Sequence, residues 1–130
     1  MTEATLLLRQ VHPSFIQAGR VTSQAFRPTP KDELLLSVYD GDQISAEESW
    51  RHFTNQEHCR SAGVLAVTVG ECTIEALPTR LAQELFPQHA VIDFAGLSYN
   101  QIEKNGKKLK ARAEVRGWLY EQPDDQNESL

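Results

Sequence analysis

Runs of apolar residues cut short by turn formers set the first half of the chain. Leu6-Leu7-Leu8-Arg9-Gln10-Val11 stops at His12-Pro13, and Leu34-Leu35-Leu36-Ser37-Val38-Tyr39 stops at Asp40-Gly41-Asp42, so both read as buried strands bounded by turns. Between them Val21 to Phe26 alternates weakly, as a strand or an extended loop would, and Pro28, Pro30 and Lys31-Asp32-Glu33 mark a loop within the domain. Gly63 to Val69 is rich in β-branched residues and predicts a central strand. Cys72, Ile74 and Ala76 alternate with Thr73, Glu75 and Leu77 and predict a second, more exposed one.

Helical periodicity takes over at two places. Ser45-Ala46-Glu47-Glu48 places a hydroxyl three residues before a carboxylate, an arrangement that satisfies free amides at a helix start; Trp50 and Phe53 then form a narrow apolar stripe, and the segment is expected to run to about Cys59. Ser98-Tyr99-Asn100-Gln101 repeats the signal. Beyond it Tyr99, Ile102, Gly106, Leu109 and Ala113 fall on one side at about 100° per residue, ending at Gly117. Thr79 to Phe86 fits a short helix ended by Pro87, His89 to Phe94 a strand closed by Gly96, and Trp118-Leu119-Tyr120 a short edge strand. The irregular interleaving, without βαβ spacing, predicts an α+β fold: a mixed sheet with two main helices packed mostly on one side. A single domain over residues 1–121 is expected, followed by a disordered acidic tail over 122–130.

Composition narrows the class without naming a reaction. With 130 residues, 40% hydrophobic and 24% charged, the chain is long enough for one core and ordinary for a folded domain. A net charge of −5 argues against a general nucleic-acid or anionic-membrane binder, and no apolar run approaches the ~20 residues of a membrane-spanning helix. The first residues lack a secretory pattern, so cytoplasmic residence is the expectation, with Cys59 and Cys72 reduced.

Three groups of residues invite chemistry. The long helix carries a basic patch of Lys104, Lys107, Lys108, Lys110 and Arg112, to which phosphate or nucleic acid is an alternative partner; its Asn105-Gly106-Lys107-Lys108 lacks the earlier glycine of a phosphate loop, and a solvated face is the simpler reading. His52, His58, Cys59 and Cys72 include zinc-ligand types, but a step of six positions sets the two histidines about 240° apart on a helix, so no metal is expected. The third group comes from separate segments: Arg9, His12, Ser23, Ser37 and His89. Polar side chains at strand ends can line a cleft beside a rigid sheet, and these five are the candidate site.

Two resemblances rest on the same segments. Leu7-x-Arg9-x-Val11, Ser23-Gln24-Ala25-Phe26, Ser37-Val38 and His89-Ala90-Val91-Ile92, in that order over residues 6–94, resemble a pattern in short bacterial proteins of unassigned function, and that resemblance brings no activity with it. Arg9 and Ser23 are also similar to the NAD-gripping residues of ADP-ribosyltransferase-like toxins. That resemblance implies an NAD-using enzyme with His89 or Glu75 acting on the transferred group, although no Glu-x-Glu pair is present. Otherwise no cofactor is expected, and the leading expectation is an accessory domain that binds another protein through a polar cleft or an exposed sheet edge.

Overall fold

The computed structural model describes residues 1–123. Eight strands, β1 (Leu6–Val11), β2 (Ile16–Gln17), β3 (Arg20–Val21), β4 (Leu35–Asp40), β5 (Gly63–Thr68), β6 (Thr79–Leu81), β7 (His89–Asp93) and β8 (Tyr120–Glu121), alternate with three helices, α1 (Ala46–Thr54), α2 (Val69–Ile74) and α3 (Tyr99–Arg116). Six strands form one sheet in the order β6-β7-β4-β1-β5-β8, while β2 and β3 form a separate short hairpin. The fold is α+β. Every pairing in the sheet is antiparallel, so no strand introduces the mixed character anticipated from the sequence.

The helices divide between the two faces of the sheet, where the sequence pointed to one. Leu7, Leu65, Val67, Leu36, Val38, Ala90 and Ile92 face a core completed by Phe26, Phe94, Ile102, Leu109 and Ala113, the last three from α3. Their sequence neighbours Leu8, Tyr39, Val64 and Ala66 point the other way and meet Trp50 and Phe53 of α1. Successive strand residues alternate faces, so strands that are apolar on both sides need cover on both. The sequence pattern showed two apolar faces but carried no information on which helix took which.

Four local expectations change. Thr79 to Phe86 contains strand β6 and turns rather than a helix, because Thr79, Arg80 and Leu81 pair with Ile92, Val91 and Ala90 of β7. The segment around Cys72 is helix α2 rather than a strand. Thr68 caps it by accepting from the Glu71 amide (3.0 Å), while the Glu71 carboxylate accepts from the Thr68 amide (2.8 Å). Val21 to Phe26 divides into the end of β3 and a 3-10 turn over Ser23–Phe26. Helix α1 starts at its expected Ser45 cap but ends at Thr54, short of Cys59. The expected tail lies, from residue 124 onward, outside the described residues.

Gly63 shows how tightly the edge strand β8 closes on β5. A Cβ there would lie 2.5 Å from the Tyr120 carbonyl oxygen and 2.9 Å from the Trp118 ring. Neither can retreat without unpairing Gly63 from Glu121 and Val64 from Tyr120. Gly63→Ala is expected to destabilise the fold by about 1–3 kcal/mol, read as a lower urea midpoint; an unchanged midpoint would mean that β8 is not held there.

Candidate functional site

The two innermost strands part company halfway along. β1 pairs with β5 over its whole length and β4 pairs with β7 from Leu35 to Tyr39, but β1 and β4 meet only at Leu7–Asp40 and Leu8–Tyr39. From Arg9 and Val38 onward they diverge, and a guanidinium bridges the gap: Arg9 Nε donates to the Ala25 carbonyl (2.7 Å) and Nη1 to the Ser37 carbonyl (2.9 Å). Backbone oxygens that lose a ladder partner need another donor, and a charged one makes the stronger bond. Among the described residues Arg9 has no carboxylate within ion-pair distance and Nη2 has no hydrogen-bond partner. Desolvation by burial lowers the Arg9 pKa from its ordinary value to about 10, opposed by the more distant charge of Asp32, so the group is still a cation at neutral pH.

Arg9 lines a cavity of about 470 Å³, within the roughly 300–1,000 Å³ typical of small-molecule sites. Its sheet side carries Gln10, Ser37, Val38, Tyr39 and His89; Phe53 of α1 and the following Gln56 and Arg60 form a second side; the turn with His12, Ser14 and Phe15 and the loop residues Leu85 and Phe86 close the rest. Among the described residues two arginines and two histidines contribute to this lining and no aspartate or glutamate does. In a chain with eighteen carboxylates that separation gives the cleft a positive interior between aromatic walls.

The lining is held from behind. Gln10 is buried and uses both ends of its amide, donating to Ser49 of α1 (3.0 Å) and accepting from Ser61 (2.8 Å), which anchors the helix over the sheet. Phe86 wedges between Tyr39, His52 and His89, with ring centroids 5.2, 4.7 and 5.0 Å away, and Tyr39 and His52 share a hydrogen bond of 2.8 Å. These contacts dock the 82–88 loop against the cleft.

His89 is only 6% exposed and its orientation is determined by its neighbours. Its Nδ1 lies 2.7 Å from the Ala82 carbonyl oxygen, which can only accept, so Nδ1 carries the proton. In the neutral ring Nε2 is therefore the acceptor, and it faces the Ser37 hydroxyl at 3.1 Å. Ser37 itself is exposed to the cleft. His12 Nδ1 accepts from the Ser14 amide (3.0 Å) and so caps the turn after β1.

Of the five residues singled out in the sequence, Arg9, His12, Ser37 and His89 thus surround one cleft. Ser23 opens the 3-10 turn behind Arg9 and does not line it. Glu75 is also elsewhere, paired with Lys108 and Arg112 at 3.4 Å each, so the set implied by the toxin resemblance is not gathered in one place. The basic patch is largely matched by its own neighbours: Lys107 pairs with Glu103, Lys110 with Glu114, and Lys108 and Arg112 with Glu75, leaving Lys104 without an ion pair among the described residues. Tyr39, Phe53, Arg60 and Phe86 were not anticipated. Arg60 and Phe86 lie in connecting segments without periodicity, and only the chain's path across the sheet brings them to Arg9. The two cysteines are free, Cys72 buried and Cys59 partly so.

Among the described residues no helix is long and apolar enough to cross a membrane. No family model, curated protein or solved structure matches the chain.

Proposed function

We propose that this protein binds a small organic carboxylate with an apolar, ring-sized body in the cleft between β1 and β4. The observation that carries this reading is Arg9: a half-buried guanidinium that, among the described residues, has no carboxylate partner and an uncommitted Nη2, at a cavity whose described lining holds arginines and aromatic rings and no acidic residue. A carboxylate accepts well from a guanidinium whose other donors are already fixed, because little side-chain freedom remains to be lost. Phe15, Phe53 and Phe86 supply the apolar walls for the rest of the ligand.

The geometry favours a small molecule over the macromolecular partner expected from the sequence. The cleft is concave, and the sheet edges, three residues in β6 and two in β8, offer little backbone for strand addition. The neutralised face of α3 offers little free charge to a phosphate backbone.

Titration with 3-phenylpropionate, with its neutral amide and phenyl phosphate as comparison arms, tests the reading by thermal shift and calorimetry. Saturable stabilisation by the carboxylate, at least about tenfold tighter than the amide, is the expected result. Equal binding of the amide, or no saturable shift at millimolar carboxylate, would overturn it; phenyl phosphate binding more tightly than the carboxylate would reassign the head group.

A further inference from the structure

We infer that Ser37 and His89 form a nucleophile and base that hydrolyse an ester of the carboxylate bound in this cleft. The inference rests on the binding reading and adds a reaction to it. Three parts of an acyl-transfer site stand in sequence: the cleft-exposed Ser37 hydroxyl, the His89 ring with Nε2 at 3.1 Å from it, and the Ala82 carbonyl that accepts from Nδ1–H at 2.7 Å and so leaves Nε2 as the acceptor in the neutral form of the ring. An activated serine needs a nucleophile in reach of a base and a third group orienting that base. Here the third group is a main-chain carbonyl, held because Ala82 also donates its amide to the His89 carbonyl oxygen (2.9 Å).

Arg9 completes the set. Its Nη1 is bonded to the carbonyl of Ser37 itself, so the guanidinium charge lies beside the residue that would attack, with Nη2 unpaired. Negative charge that develops on an ester carbonyl oxygen during attack is stabilised by a fixed, partly desolvated donor of this kind. The ionised product acid then meets the same cation, which links the carboxylate site to the reaction.

In the acylation step the Ser37 O–H bond breaks and its proton passes to His89 Nε2. Oγ bonds to the ester carbonyl carbon, and the carbonyl π pair moves to oxygen next to Arg9. Collapse re-forms the carbonyl and breaks the carbon–alkoxy bond, and the proton on Nε2 goes to the leaving oxygen, which departs as an alcohol. Water repeats the sequence: its proton passes to Nε2, its oxygen bonds to the acyl carbon, and Oγ leaves and recovers the proton. The sum is ester plus water giving acid plus alcohol, with no other reactant.

The test uses the 4-nitrophenyl ester of 3-phenylpropionic acid on the full chain. Release of 4-nitrophenolate with a transient acyl group mapped to Ser37 by mass spectrometry is expected. Ser37→Ala should lose the adduct and at least about a hundredfold of kcat/KM, and His89→Gln should slow acylation by a similar factor, with each variant shown to be folded by its urea transition. If the acid binds but Ser37 is never acylated, or turnover survives Ser37→Ala, the hydrolytic inference is overturned and the binding site stands. If neither ester nor acid engages the cleft, both readings fall together.

Discussion

Arg9→Met is expected to weaken 3-phenylpropionate binding by about a hundredfold while moving the unfolding free energy by no more than about 1–2 kcal/mol. The small stability effect follows from opposing contributions. Burial that lowers the Arg9 pKa from its ordinary value to about 10 disfavours the folded cation by about 3 kcal/mol. Methionine removes that cost and keeps an unbranched stem in the gap. It also leaves the Ala25 and Ser37 carbonyls without their donor, a loss of about 1–3 kcal/mol for each that stays dry. Nothing offsets the missing charge when an anion enters. Paired urea curves and calorimetric titrations read the two effects separately. A variant that unfolds at a much lower urea midpoint would instead make Arg9 a strut for the parted strands.

Raising the pH above 9 should destabilise the protein through Cys72. The thiol sits on α2 against the core with no exposed surface, and burial first, then the charge of Glu71, push its pKa from 9.0 to about 12. A raised folded-state pKa means that the folded chain holds a proton the unfolded chain has released. Its contribution is therefore complete below pH 9 and lost progressively up to about 12, at about 1.4 kcal/mol per pH interval, or roughly 4 kcal/mol across the window. Tyr39, its hydroxyl pKa raised chiefly by burial, adds a loss of the same sign above 10.0. Arg9 acts in the opposite sense from about 10 upward, because the folded state sheds that proton first. The interval between pH 9 and 10 isolates the thiol. Urea midpoints from about pH 8 to about pH 10 should fall in the parent and much less in Cys72→Ala; parallel slopes would remove the thiol from the account.

Elements whose signals are local were legible in the sequence. β1, β4, β5 and β7 follow apolar runs closed by turn formers, and α3 follows from the Ser98 cap together with Ile102, Gly106, Leu109 and Ala113, all buried, whereas Tyr99, expected on the same side, is exposed in the first turn. Helix α2 was missed because alternating Cys72, Ile74 and Ala76 imitates a strand, although Thr68-x-x-Glu71 carried the same capping signal that revealed α3. The 79–86 segment failed for a different reason: β6 exists through its partner β7, which lies beyond the segment itself. Arg9, Ser37 and His89 stood out as polar interruptions at apolar strands, whereas the cleft depends on two strands separating after Leu8 and Tyr39. No single segment encodes that event.

The parting of β1 from β4 also gives the sheet a seam at its centre rather than at its margins. Three strands lie on either side, joined along this line by the pairs at Leu7–Asp40 and Leu8–Tyr39, by the Gly41 amide on the Leu6 carbonyl and the Thr5 hydroxyl on Asp42 at one end, and by the reach of one guanidinium. Each half has its own ladders, β1 with β5 and β4 with β7, so few backbone hydrogen bonds cross this line. A guest seated there touches both halves and would act as a rivet between them.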